Sequence, residues 1–259
     1  YNSLEEIKLS FRRLTQIIPR NGLALVNADD PNCLDVVKGA PCPVKTVGSS
    51  DSSNIRILDV ETSTDGSHFT LEGTRYYVPM IGEFNIRNAA MAIAAAQFAG
   101  LNVKQLADSM SRFEGVARRQ EVKGVVNGIS VVDDFAHHPT AIKQAILGLR
   151  QRYPESRIWA IFEPRSNTTR RNIFQNELAL SLATADFPVV AAVDHPDKVA
   201  LEERLDLTKL SNDLSALGKD ALIGVSAVCK KAQPGDVILV MSNGGFEGIH
   251  AKLLEALNA

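Results

Sequence analysis

From residue 129 onward the chain switches repeatedly between two hydrophobic periods, and no other feature of the sequence limits its fold as tightly. Apolar β-type runs stand at 129–134 (ISVVDD), 157–162 (RIWAIF), 187–193 (FPVVAAV) and 236–241 (DVILVM). Helical patterns fill 139–152, 171–184 and 207–217 between them, with a last one from residue 246. Runs apolar on both sides belong to strands covered on both faces, and strand–helix alternation joins neighbouring strands in parallel. The expectation is an α/β, Rossmann-like domain with a mostly parallel sheet, its ligand loops at the carboxyl ends of the strands. Asn127-Gly128, between two β-rich runs, predicts a hairpin at its start.

The first half reads differently. Ser3 with Glu6 three residues later is a capping-box pattern, ahead of an apolar face through Leu4, Ile7, Leu9, Phe11, Leu14 and Ile17-Ile18. The chain starts without methionine inside that pattern, which predicts a piece of a longer protein. GLALVN (22–27) and PVKTVG (43–48) read as short strands around a helix, CLDVVKG (33–39). NIRILDVETS, SHFTLEG and TRYYVPM, within 54–80, alternate and carry turn residues, predicting a small antiparallel patch. FNIRNAAMAIAAAQFAG (84–100) is an alanine-rich helix, and Asn102 with Gln105 caps the next, which ends near Phe113. The expected domains are 1–119 and 120–259.

Composition removes several function classes. The 259 residues are 45% hydrophobic with a net charge of −2, enough to fill two cores. They contain no basic run that would hold a phosphate backbone, so no nucleic-acid partner is expected. No apolar stretch approaches the ~20 residues that span a bilayer, so no membrane partner is expected either. Three cysteines without a C-x-x-C spacing suit a reducing cytoplasm.

The segment DDFAHHPT (133–140) lies between a strand and a helix whose first-turn residue is Pro139. Its histidines therefore sit at a helix N-terminus, where free N–H groups and the dipole favour an anion over a metal cation. Phosphate or nucleotide contact leads; metal ligation and simple capping stay open, since Asp and His are metal-ligand types but adjacent histidines do not share a helical face. SNGGF (242–246), after a strand, offers either a backbone cradle for a substrate at Ser242 and Asn243 or a tight turn. VDHPDK (193–198) reads as a solvated turn, with substrate contact as the alternative.

Three further segments, IGEFNIRNAAMAIAAA (81–96), FEGVARRQE (113–121) and FEPRSNTTRR (162–171), complete a pattern that resembles the Mur ligases, ATP-dependent amide-forming enzymes of peptidoglycan synthesis. The matching elements are Asn85 and Asn88 opening the alanine-rich helix, Gly115 to Arg119, and Asp134-Phe135-Ala136-His137-His138-Pro139. The resemblance implies that 1–119 is the C-terminal part of a central ATP-binding domain and 120–259 the peptide-binding C-terminal domain. GEFNIRNA and FEPRSNTTRR resemble the branch that joins L-Ala-γ-D-Glu-meso-diaminopimelate to UDP-N-acetylmuramate in cell-wall recycling. The branch that adds free L-alanine has a histidine and an aromatic where Arg165 and Asn167 stand here.

The resemblance also implies an acyl-phosphate route in which ATP, with Mg²⁺, activates the lactyl carboxylate and the peptide amine attacks it. By the same carry-over, Arg119, Asp134 and His137 are the catalytic candidates. Asn85 and Asn88 join them at the nucleotide, with Arg119, Asp134, His137 and His138; for the two asparagines helix capping is the alternative. Arg165, Ser166, Asn167 and Arg170, with Ser242 and Asn243, are the substrate candidates, and Arg165 is assigned to a substrate carboxylate because its fork suits one, with a surface ion pair as the alternative. None is assigned to metal. The family's phosphate loop, G-x-x-G-K-[S/T], does not occur in these residues, so the chain alone is not expected to catalyse the reaction. A non-catalytic ligase-derived module and an L-alanine or folate-type ligase are the other readings.

Overall fold

The structure, a computed structural model, describes residues 3–223 and 227–259. It divides into two compact units, Tyr1–Glu114 and Gly115–Ala259.

In the first unit, α1 (Leu4–Gln16) is capped by Ser3, whose Oγ accepts the Glu6 N–H at 3.3 Å. Its polar side packs inward: Arg12 donates to Asp35 (2.6 Å) and Gln16 to the Gly39 carbonyl (3.0 Å), while Leu4, Phe11 and Leu14 stay half exposed. Strands β1 (Ala24–Asn27), β2 (Val44–Gly48) and β3 (Ile55–Arg56) form a parallel sheet, with α2 (Pro31–Val36) between the first two. Strands β4 (Leu58–Thr62), β5 (Ser67–Leu71) and β6 (Thr74–Val78) form an antiparallel one.

The run 54–63, expected as one antiparallel strand, is thus divided between two sheets. Ile55-Arg56 pairs in parallel with Val47-Gly48, and Ile57 N–H donates to the Gly48 carbonyl. The physical reason is burial: Ile55 and Ile57 enter the same core as Val47 and Phe69, whereas every residue of β4 is exposed and Asp59 turns left-handed. Helix α3 (Glu83–Phe98) presses Ile86, Ala90 and Ile93 into that core, and α4 (Val103–Ser111) follows. Asn102 caps α4 by accepting from Lys104, not through Gln105.

In the second unit, β7 (Glu121–Val126) and β8 (Ile129–Asp134) form the expected hairpin. Asn127 and Gly128 both adopt positive φ (50° and 76°), as a two-residue turn of this hand requires. With β9 (Ile158–Phe162), β10 (Phe187–Val190), β11 (Leu222–Ile223) and β12 (Val237–Met241), the described strands lie in the order β11-β10-β9-β12-β8-β7. Every pair is parallel except β7–β8.

Consecutive strand residues feed opposite cores. Val132, Ala160 and Leu239 face α5 (Pro139–Arg152) and α6 (Gln175–Leu182), while Val131, Trp159, Ile161 and Val240 face α9 (Ile249–Asn258). All are essentially buried, and each large aliphatic or aromatic side chain among them contributes about 1.5–3 kcal/mol by leaving water. Residues 171–184 begin as a 3₁₀ turn at Asn172–Phe174 before α6, and the run expected as strand over 187–193 leaves the sheet after Val190. Helix α7 (Leu207–Ala216) lies where expected; β11 and α8 (Val228–Lys231), two and four residues long, were too short for a periodicity to reveal.

Candidate functional site

Parallel pairing aligns the strand ends. Asp134, Met241 and Phe162 are in register, as are Phe162 and Val190, so the loops after β8, β9, β10 and β12 leave from one edge. Most of the candidate residues of the second unit lie on those loops.

The corner between β8 and the start of the unit is built around a tight reversal. Arg118 and Gln120 both have left-handed φ (60° and 51°), which points Arg118 inward and leaves Arg119 exposed. Strain of this kind on non-glycine residues persists only where surrounding contacts hold it. Arg118 supplies those contacts: Nε donates to Asp133 (3.2 Å), and Nη2 to the carbonyls of Ser242 (2.6 Å) and Gly244 (2.9 Å). Its own N–H donates to Glu121 (2.9 Å), which together with Lys123 holds that carboxyl below its usual range. Across Asp133, His250 Nε2 stands 3.2 Å from Oδ1, and burial lowers the imidazole's pKa.

Asp134 is buried, its two oxygens accepting the N–H groups of Ala136 (2.8 Å) and Gln120 (3.0 Å). Burial raises its pKa and outweighs the opposing pull of those N–H groups and of Arg119. Gln120 in turn packs its side chain into α5, where a Cβ on Gly148 would meet Gln120 Nε2 at 2.4 Å. Arg119 and Arg118 both lie over the Phe135 ring, at 5.5 and 5.1 Å. His137 engages the Phe135 carbonyl through Nδ1 (2.8 Å). His138 caps α5 by accepting from Thr140 (3.3 Å); burial, and then the charge of His137, lower its pKa and favour the neutral form that capping needs.

At the adjoining corner, Ser242 donates through Oγ to Glu163 and accepts the Gly244 N–H (2.9 Å). Arg165 lies 3.7 Å from Glu163 and 3.7 Å from Asp194, inside ion-pair range but beyond hydrogen-bond distance. Ser166 serves its own turn, pairing with Thr169 through Oγ (2.7 Å) and accepting the Thr169 N–H (3.1 Å). Asn167 is exposed. Arg170 Nε and Asn243 Oδ1 are buried without a hydrogen-bond partner among the described residues, the condition of groups that a ligand can satisfy.

In the first unit, Asn85 is buried and donates to the Ile81 carbonyl (2.8 Å), while Asn88 is exposed on the same helix. An open cleft of about 450 Å³ lies over the ends of β1–β3, lined by Asp29, Ser49, Ile57, Glu83, Ile86 and Arg87.

Arg118, Asp133, Glu163, Gly244 and His250 form much of the frame; the first four lie within segments the sequence marks but were not assigned roles, and His250 lies in none of them. A twin arginine at 118–119 was visible; which of the two turns inward depends on backbone dihedrals that no motif records. Among the described residues no three His, Cys, Asp or Glu side chains form a metal-holding group, and no helix is long and apolar enough to cross a membrane.

Residues 1–96 match the Mur ligase middle domain and residues 118–244 the Mur ligase, glutamate ligase domain. The chain is 36% identical over 267 residues to the UDP-N-acetylmuramate–L-alanyl-gamma-D-glutamyl-meso-2,6-diaminoheptandioate ligase of Escherichia coli (strain K12), covering 99% of this chain and 56% of that protein. It is 30% identical over 278 residues to the UDP-N-acetylmuramate–L-alanine ligase of Caldanaerobacter subterraneus subsp. tengcongensis, covering 98% and 57%. Among solved structures, the murein peptide ligase of Psychrobacter arcticus 273-4 has a TM-score of 0.70 at 32% identity, over 100% of this chain and 56% of that one. The chain therefore spans somewhat more than half the length of the relatives it matches.

Proposed function

The chain belongs to the Mur ligase family, and from that premise we propose that it is part of a ligase joining L-Ala-γ-D-Glu-meso-diaminopimelate to UDP-N-acetylmuramate in peptidoglycan recycling. In this reading residues 1–119 are the last part of the ATP-binding domain and 120–259 bind the peptide. The small molecules are ATP and the two substrates, and the compartment is the cytoplasm, where unpaired cysteines such as Cys33, Cys42 and Cys229 persist.

The observation that carries it is Arg165. Among the described residues its guanidinium makes no hydrogen bond, yet two carboxylates at 3.7 Å hold it in place at the ligand edge of the sheet. A fixed fork with unspent donors suits a carboxylate, which the peptide offers and free L-alanine offers only beside its reacting amine.

The donor set of the neighbouring corner fits a nucleotide. Arg119 is exposed over the Phe135 ring, and α5 begins at Pro139 a few residues further along the chain, features suited to anionic oxygens. Bound ATP would supply the phosphoryl group that activates the lactyl carboxylate. Arg119 and His137 would orient and neutralise it, and Asp134, fixed by two N–H groups, would set the loop that presents them. Asn85 and Asn88 are assigned to the adenine side. Mg²⁺ would come with the nucleotide, since it is held mostly by phosphate and water oxygens with one or two protein carboxylates.

ADP release by the full-length protein with UDP-N-acetylmuramate and Mg-ATP tests the proposal, comparing the tripeptide with free L-alanine. Strong preference for the tripeptide is expected. Preference for L-alanine would move the chain to the other branch, and silence with both would leave a non-catalytic module.

A further inference from the structure

The two glycines of SNGGF are not equivalent. A Cβ built on Gly245 meets nothing within 4 Å, whereas one on Gly244 would lie 2.2 Å from Arg165 Nε, 2.4 Å from Cδ and 2.5 Å from Cζ. Gly244 is not among the residues with positive φ, so its backbone does not call for glycine. What calls for it is the neighbour: the stem and guanidinium of Arg165 occupy the space a side chain at 244 would need.

That main chain is fixed from two sides. The Gly244 N–H is held by Ser242 Oγ (2.9 Å), and its carbonyl by Arg118 Nη2 (2.9 Å). Ser242 also binds Glu163, whose other oxygen faces Arg165. The guanidinium is thus placed by a surface and by two carboxylates at a distance, and its donors remain uncommitted. Hydrogen bonding to protein would fix it equally well but would consume the groups a ligand needs.

We propose that Gly244 is a specificity-determining position, the seat that orients the Arg165 fork toward the carboxylate of the incoming peptide. The inference rests on the assignment of Arg165 to the peptide. A methyl group at 244 displaces the Arg165 stem and guanidinium at little cost to the fold, because no hydrogen bond among the described residues ties that side chain down. The cost falls on recognition, since a displacement of about 1 Å in a positioning group can lower turnover by up to about 100-fold.

The test compares Gly244→Ala with Gly245→Ala, a matched control in open space. In the full-length ligase, Gly244→Ala is expected to raise the tripeptide KM by about tenfold. The KM for ATP and the thermal midpoint should stay at their parent values, and Gly245→Ala should change none of the three. A purely structural role for Gly244 would move stability and both KM values together, and that result overturns the proposal, as does an equal effect of the two variants. A second measurement needs no ligase activity: the Arg165 Nε–Hε resonance of the 259-residue chain should shift in Gly244→Ala and not in Gly245→Ala. An unmoved resonance overturns the seat. A shifted resonance in a protein that does not use the tripeptide upholds the seat and overturns the functional reading instead.

Discussion

The two edges of the six-stranded sheet each set an arginine against carboxylates, and they do so in opposite ways. At the amino edge, Arg157 makes a two-pronged bond to Asp236 (2.8 and 2.7 Å), which also accepts Trp159 Nε1–H (2.8 Å) and the Gln233 N–H (2.9 Å). Arg157 further lies over Phe187, which stacks on Trp159 at 4.2 Å. At the carboxyl edge, Arg165 has its carboxylates at 3.7 Å and no hydrogen bond among the described residues. Similar residues thus close the sheet at one end and leave it chemically open at the other. The saturated Arg157 holds the fold, and the unsaturated Arg165 lies at the edge where ligands bind in sheets of this kind, beside an Arg118 that is itself saturated.

Removing Asp236 should strike hardest. Asp236→Ala strands a buried indole N–H, a main-chain N–H and a half-exposed guanidinium, and should lower stability by about 3 kcal/mol in urea unfolding. A loss below about 1 kcal/mol would break the contrast between the edges. Arg165→Met should be the reverse case. Stability should change by less than about 0.5 kcal/mol, while peptide recognition by the full-length ligase weakens by about 2 kcal/mol, roughly 30-fold in kcat/KM. Equal losses of stability at both edges would erase the distinction.

Arg118→Lys keeps the charge but loses the geometry that reaches Asp133 and two carbonyls at once. It should cost about 1 kcal/mol and raise amide exchange at Gly244 and Phe135; unchanged exchange would show that the turn is held by other means.

The smallest effect is that of pH. Burial acts to raise the Asp236 pKa, but Arg157, the Gln233 N–H and Trp159 outweigh it, so the folded value lies below the unfolded one. The resulting stabilisation is complete above the unfolded carboxylate pKa, about 3.9, and is lost as pH falls through the folded value. Unfolding of the parent chain and of Asp236→Asn should therefore converge in acid. Parallel curves throughout would remove Asp236 as the titrating group.

Sequence reasoning was strongest where one segment decides its own shape. The hairpin at Asn127-Gly128 and helix α5 from Pro139 to Arg152 were readable because turn chemistry and helical period are local. Partnership was less readable. Ile55 and Val60 sit in one alternating run, yet only the burial of Ile55 and Ile57 beside Val47 assigns them to a different sheet from β4. The site divides in the same way. Arg165 and the Asp134–His138 segment carry motif residues, whereas Arg118 depends on a left-handed backbone and Gly244 on a side chain 79 positions away, neither of which is written in a spacing.

The berth of Gln120 on Gly148 bears on the order of folding. A glycine inside α5 makes the isolated helix about 1 kcal/mol weaker than alanine would, so its C-terminal half should consolidate late, when the β7–β8 hairpin delivers Gln120. Interactions absent from the folding transition state act on the unfolding rate. Gly148→Ala should therefore leave refolding as fast or faster and hasten unfolding. Slower refolding would instead place the docking of Gln120 early. The residue that orders the loop around Asp134 would then also act as a brake on its release, setting how long a folded molecule lasts.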